Sequence, residues 1–199
     1  MLAIRFSETL RKTFQFFFLL MLFLLISLIP CLISNFYQKE KSGREKQAIA
    51  EKVHSIMAMY HCDNPEIYEA IMTTFDPVLV AVVVAVESGF RVDAVSRAGC
   101  RGLMQLSPDK LEDWKNIRLN IQIGSAYLEA QLKNFEDLEL AFAAYNAGPG
   151  SVRKYQGVPP FRETIAYLEK VKSFGLSFEG PELDQSSKSS RPRRVGALL

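Results

Sequence analysis

Asp76-Pro77-Val78-Leu79-Val80-Ala81-Val82-Val83-Val84-Ala85-Val86-Glu87-Ser88-Gly89-Phe90 is the stretch on which the reading of the fold turns. Its apolar run from Val78 to Val86 is rich in β-branched residues, and on propensity alone it suits a buried strand as well as a helix. Asp76 before Pro77 supplies a capping side chain and a proline at the first helical position, and Gly89 supplies a C-terminal stop. These signals, with the length to Ser88, favour a helix. A helix apolar on all faces belongs in the middle of a domain. It delivers one carboxylate, Glu87, to its C-terminal end. Burial and the negative end of the helix dipole both disfavour the ionised form there, so the pKa of Glu87 is expected to be raised. A carboxylic acid that keeps its proton near neutral pH suits protonation of a glycosidic oxygen. From helix position alone, a glutamate reaching solvent just past the helix end is the favoured alternative.

The same start signal recurs along the chain. Asn64-Pro65 opens a short helix carrying Ile67 and Ile71, and Ser107-Pro108 opens another. Upstream, Ile49, Val53, Ile56, Met57 and Tyr60 form one apolar stripe at helical spacing. Residues 118–135 make a longer helix marked by Ile121, Leu128, Leu132 and Phe135, with Gly124 suited to a close crossing. Leu138, Ala141, Ala144 and Tyr145 mark the next helix, which ends at Asn146-Ala147-Gly148-Pro149-Gly150. Ser151 is expected to cap a short helix to Gln156. A rigid loop from Gly157 to Pro160 then leads into a last helix from Phe161 to Ser173, carrying Ile165, Leu168 and Val171 and stopped by Gly175. No strand series and no internal repeat is visible. The expected domain is all-α and spans residues 48–175, followed by a disordered tail over 176–199, where serines, charges and prolines dominate.

Between Lys12 and Lys39 the chain carries no charge, and from Phe16 to Ile33 it is apolar apart from Ser27 and Pro30. At about 1.5 Å per residue a helix of this length comes close to crossing a hydrocarbon core of roughly 30 Å. Arg5, Arg11 and Lys12 precede the run as in a secretory signal, but the apolar part exceeds the roughly 7–15 residues of a cleaved peptide. Residues 1–34 are therefore expected to be an uncleaved signal anchor, a single transmembrane helix. Lys39, Lys41, Arg44 and Lys46 follow closely, so the charge bias does not set the orientation. Cys31 follows Pro30, a poor fit to a lipid-attachment site. Residues 35–47 are charged, contain Ser42-Gly43 and read as a short exposed linker merging into a helix.

Composition narrows the function classes. A formal charge of +2 gives no strong electrostatic case for nucleic acid, and Arg191, Arg193 and Arg194 read as a short solvated end. Cys31, Cys62 and Cys100, with His54 and His61, show no metal-ligand spacing, so neither a metal nor a cofactor is expected. Cys62 and Cys100 could pair in an oxidising compartment, but two unpaired buried thiols are the favoured reading.

Two other turns give Glu87 a context. Gly99 and Gly102 bracket a segment where backbone can approach a ligand, with Ser96 and Gln105 nearby as hydrogen-bonding groups. Tyr145-Asn146 stands before a second glycine-rich stop and offers a ring, a hydroxyl and an amide. Each alone is ordinary. Together they describe an uncharged, hydrogen-bonding groove around one acid, which suits a polysaccharide better than a phosphate or a metal.

Glu87-Ser88-Gly89, Ser96 with Gly99, Gly102-Leu103-Met104-Gln105, Asn120-Ile121 with Gly124 and Tyr127-Leu128, Ala144-Tyr145-Asn146-Ala147-Gly148-Pro149, and Glu163-Thr164 with Tyr167 follow one another in a distinctive order. In that order and spacing, over residues 74–173, the chain resembles the soluble-type lytic transglycosylases of the goose-lysozyme-like superfamily. The resemblance implies a lysozyme-like helical domain that cleaves the bond between N-acetylmuramic acid and N-acetylglucosamine in peptidoglycan. It also implies one glutamate that protonates the leaving oxygen and then acts as base on the muramoyl C6 hydroxyl, giving a 1,6-anhydro product. Glu87 matches that catalytic acid, and Ser88, Ser96, Gln105, Tyr145, Asn146 and Tyr167 match positions that line the groove or orient acid and sugar.

The common glycosidase scheme uses two carboxylates, and an intramolecular nucleophile removes that need. Asp93 and Asp109 lie near in sequence but match no family carboxylate, and either as a second carboxylate would permit ordinary hydrolysis. Cys100 stands where an alanine is usual, Ser107 where a groove methionine is frequent, and Pro108 to Asn116 is shortened, all of which bear on groove shape. The chain is thus expected to be a membrane-anchored lytic transglycosylase facing the cell wall from the bacterial inner membrane, with peptidoglycan strands as its partner. A lysozyme-type hydrolase and a non-catalytic glycan-binding module of a secretion or division apparatus are the alternatives.

Overall fold

The computed structural model describes the backbone of residues 2–176 and 178, and their side chains except those of 2–10, 12, 20, 24–26 and 28–32. The side chain of Cys31 and nearly all of the expected tail lie outside the described residues. Helices occur in the order α1 (Leu2–Met59), α2 (Pro65–Met72), α3 (Pro77–Ser88), α4 (Ile117–Phe135), α5 (Leu138–Ala147), α6 (Pro149–Tyr155) and α7 (Arg162–Lys172). Among the described residues there is no strand, only isolated bridges pairing Arg101 with Val95 and with Leu106. The chain divides into two compact units, Met1–Glu51 and Lys52–Leu199.

In the first unit, large apolar side chains stand exposed one after another, Phe16 to Leu19 and then Met21 to Phe23. Among the described residues no helix is long and apolar enough to cross a membrane. Several side chains of the run expected to span, residues 24–26 and 28–32, lie outside the described ones. Residues 35–47, expected as a linker, are helical and exposed within α1. One exposed glycine costs a helix only about 1 kcal/mol, too little to end it at Gly43, and Glu40 and Arg44 face each other one turn apart at 3.7 Å.

In the second unit, local chemistry sets the start of α3. The Asp76 carboxylate accepts hydrogen bonds from the Val78 and Leu79 N–H groups at 3.1 and 3.0 Å. Gly89 ends the helix in the left-handed conformation at φ 58°, its N–H donating to the Ala85 carbonyl. The caps thus override the strand propensity of the valines. Val80 to Ala85 are at most 3% exposed, each side chain of valine size contributing about 1.5 kcal/mol or more on burial. α3 lies against α2 and α7, while α5 lies against α4, α6 and α7. Val53, Ile56 and Met57 at the end of α1 are buried, whereas Tyr60 is 37% exposed and meets Phe90 and Phe174 at centroid distances of 5.7 and 6.4 Å.

Two boundaries and one helix face differ from expectation. Ser107-Pro108 opens a single turn, closed by Lys110 N–H to the Ser107 carbonyl at 2.9 Å, and no helix follows. The start signal is present, but Pro108 to Lys115 offers only Leu111 and Trp114 as large apolar residues beyond the proline, too few for a buried stripe. α6 begins at Pro149 directly after Gly148, and Ser151 donates to the Ala147 carbonyl at 2.8 Å instead of capping. Ile165 is 44% exposed, because the inward face of α7 is Thr164, Tyr167, Leu168 and Val171. Cys62 and Cys100 are both free, as expected, but each is half-buried, not fully buried.

Candidate active site

The C-terminal end of α3 opens into a groove of about 570 Å³ whose lining includes Glu87, Ser96, Gln105, Tyr145, Asn146 and Glu163. Five of the seven side chains singled out in the sequence are therefore together here. The other two behave differently. Ser88 is buried, and its hydroxyl donates back to the Val84 carbonyl at 3.1 Å, within the helix. Tyr167 is buried behind the groove, with a hydroxyl that has no hydrogen-bond partner among the described groups.

Glu87 has its pKa raised from 4.5 to about 8, first by burial and then by the neighbouring Glu163 carboxylate, with Lys170 opposing. The side chain is thus held as a neutral acid at physiological pH. Tyr145 and Tyr167 feel the same carboxylate, and burial pushes both phenols well above their usual range.

The loop between α3 and α4 forms one wall. Gly99 and Gly102 have φ of 86° and 79°, and Gln105 itself is left-handed at φ 48°. Its amide donates to the carbonyls of Ala94 and Gly102 at 3.1 and 2.9 Å, so it ties the loop together from within. Ser96 accepts a hydrogen bond from the Cys100 N–H at 3.0 Å. Asn120, fully buried on α4, accepts from the Met104 N–H at 2.9 Å and donates to the carbonyls of Arg101 and Trp114 at 3.3 and 3.2 Å. Met104 lies over Gly124, where any β-carbon would be 2.5 Å from its sulfur, which accounts for the glycine in α4.

The opposite wall comes from α5 and α7. The Tyr145 hydroxyl donates to the Met104 carbonyl at 2.9 Å, joining α5 to the loop. Thr164 donates to the Asn146 side-chain carbonyl at 2.9 Å, joining α7 to α5 and orienting the amide. A second cavity of about 420 Å³ lies against α2 and α4, but its Arg118 already meets Glu69 at 2.9 Å and Glu66 at 3.7 Å.

Residues 65–168, a little over half of the chain, match the family described as the transglycosylase SLT domain. The chain belongs to that family. Similar curated proteins include the membrane-bound lytic murein transglycosylase F of Desulfosudis oleivorans, 36% identical over 96 residues. That alignment covers 42% of this chain and 21% of the relative. The soluble lytic murein transglycosylase of Salmonella typhimurium is 31% identical over 102 residues, covering 43% and 16%. The chain therefore spans about a fifth of the length of these relatives. Similar solved structures include an inactive mutant of the lytic transglycosylase Slt from Pseudomonas aeruginosa, at 30% identity and a TM-score of 0.46 over 49% of this chain and 20% of that one. Another is the 70 kDa soluble lytic transglycosylase of Escherichia coli, at 24% and 0.49 over 57% and 23%.

Sequence reasoning missed two residues of this SLT domain. Neither Asp93 nor Asp109 lines the groove; the second carboxylate there is Glu163, from the first turn of α7. Its place in the motif with Thr164 and Tyr167 was the available signal. Asn120 is the other, a buried amide stapling the loop to α4, whose signal was a polar residue on the inward face beside Ile121. Replacing Glu163 by Gln leaves the burial of Glu87 but removes the carboxylate that raises its pKa further. The Glu87 carboxyl is then expected to titrate at lower pH when followed by NMR, and an unmoved titration would show that the two carboxylates are not coupled.

Proposed function

We propose that the chain is a peptidoglycan lytic transglycosylase in which Glu87 is the catalytic acid and base. The observation that carries this reading is a glutamate held protonated, at a pKa of about 8, inside a groove lined by hydrogen-bonding side chains. The names of the relatives support the substrate class. The Glu87 proton passes to the glycosidic oxygen as the bond from muramoyl C1 breaks. The carboxylate so formed takes the proton of the C6 hydroxyl as that oxygen closes on C1, which leaves a 1,6-anhydro ring and restores the acid without water. In this scheme Tyr145 and Gln105 hold the groove walls in register, while Ser96 and Asn146 are placed to meet sugar hydroxyls. Tyr167, buried beside Glu87 with an uncommitted hydroxyl, orients the acid once substrate is bound, and Ser88 supports the helix end.

A second reading has one observation in its favour: Glu163 stands in the same groove and supplies the second carboxylate that hydrolysis with water uses. Mass spectrometry of the fragments released from purified peptidoglycan separates the two. Anhydromuramoyl ends are the expected result, reducing ends would favour hydrolysis, and no release would favour a glycan-binding module.

The domain division also belongs to this proposal: residues 1–34 attach the enzyme to the bacterial inner membrane and residues 48–175 act on the wall facing it. The uncharged run between Lys12 and Lys39 and the exposed apolar side chains of Phe16 to Leu19 and of Met21 to Phe23 support attachment. Resistance of the full chain to alkaline extraction from membranes is the expected result, and release into the supernatant would remove the anchor from the proposal.

A further inference from the structure

Lys110 lines the same groove as Glu87, and among the described residues it is the only lysine or arginine to do so. It lies in the segment from Pro108 to Asn116, where the chain departs from the pattern it resembles. Its backbone is fixed by the turn that Ser107 closes. Its ammonium stands 4.4 Å from the centroid of the Tyr127 ring, and that ring stands 5.4 Å from the ring of Tyr145. Lys110, Tyr127 and Tyr145 thus form a row across the groove that the acid also lines.

The charge is held in place against the Tyr127 ring. Lys110 forms no ion pair among the described residues. Asp109, next to it in sequence, feels the Lys110 charge, but its carboxylate accepts a hydrogen bond from Ser107 first and is not part of the groove. An aromatic face attracts an ammonium without consuming its three N–H donors. Glu163 lines the same groove and acts on Glu87, so an anion is disfavoured beside the acid. A ligand with sugar rings and one carboxylate would thus lie in a single direction, its carboxylate at Lys110 and its scissile bond at Glu87.

We propose that Lys110 is a specificity-determining residue that binds a free carboxylate on the muramoyl substituent of the glycan. This rests on the proposed function and names a selectivity within it. Two sources present that chemistry: the lactyl carboxylate of muramic acid stripped of its peptide, and the carboxylates of an attached acidic peptide stem.

The test is calorimetric titration of the full chain in detergent carrying Glu87→Gln, so that ligands stay intact, with and without Lys110→Gln or Lys110→Arg. The probes are a stem-free tetrasaccharide of alternating N-acetylglucosamine and N-acetylmuramic acid, the same tetrasaccharide with peptide stems, and chitotetraose, which has no carboxylate. Lys110→Gln is expected to weaken one of the first two about tenfold, to leave chitotetraose unchanged, and to be largely rescued by Lys110→Arg. Whichever muramoyl probe responds identifies the source. Equal weakening of all three probes, or of none, overturns the inference; if the native chain, with Glu87 and Lys110 both intact, still releases anhydromuramoyl ends, the proposed function survives. Absence of binding by any probe to the chain with Lys110 intact overturns both.

Discussion

Glu87→Gln is expected to lower the release of anhydromuramoyl ends by roughly a thousandfold, within the range that general acid–base groups contribute, and at the same time to stabilise the fold at alkaline pH. Glutamine keeps the shape and the burial but has no proton to give. The stability effect follows from the raised pKa. Below 4.5 the carboxyl is neutral in both folded and unfolded chains, and the two bind the same number of protons. Between 4.5 and about 8 the folded chain retains a proton that the unfolded chain gives up, so stability falls as pH rises through this window. Above about 8 the full cost is present, on the order of 5 kcal/mol at about 1.4 kcal/mol per pKa unit. The glutamine variant does not titrate there. Its melting temperature relative to the native chain is therefore expected to be nearly equal at pH 4, and clearly higher at pH 9. A pH-independent difference would mean that Glu87 is not buried as an acid, and retained turnover would move catalysis to another group.

The α3 helix and its acid were legible because each signal was local. A cap, a proline and a left-handed glycine bracket the valine run, and every one of them makes its expected contact. The same logic failed at Ser107-Pro108, where the start signal was present but no apolar stripe followed for neighbours to cover. Glu163 was not legible as a groove residue, since it reaches Glu87 only because α7 lies against α3, and that is a fact of tertiary contact. The roles of the polar side chains were harder still. Ser88, Gln105 and the Tyr145 hydroxyl each read as groups able to meet a ligand, yet all three spend hydrogen bonds on backbone carbonyls. A side chain one residue from the acid can serve the scaffold, and sequence spacing does not tell the two uses apart.

Gly102→Ala is expected to destabilise the domain by about 3 kcal/mol or more and to abolish most activity, although the residue lies outside the groove lining. Its φ of 79° already disfavours any side chain, and a β-carbon there would collide with the Asn120 amide and stand 2.8 Å from the Trp114 carbonyl oxygen. Neither neighbour can yield cheaply. Trp114 O is backbone, and Asn120 is held by the Met104 N–H and by the carbonyls of Arg101 and Trp114. Moving Asn120 frees Met104, whose carbonyl anchors the Tyr145 hydroxyl, and Gly102's own carbonyl anchors Gln105. Gly99→Ala is the control, because φ there is 86° but nothing lies within 4 Å of an added β-carbon. It is expected to cost only the backbone strain, about 1 kcal/mol, and to keep most activity. Urea denaturation of both variants measures the difference. Similar losses at the two positions would mean that left-handed backbone alone sets the requirement, and that the contact with Asn120 does not hold the groove wall; a large gap places the cost in the close approach of the loop to α4.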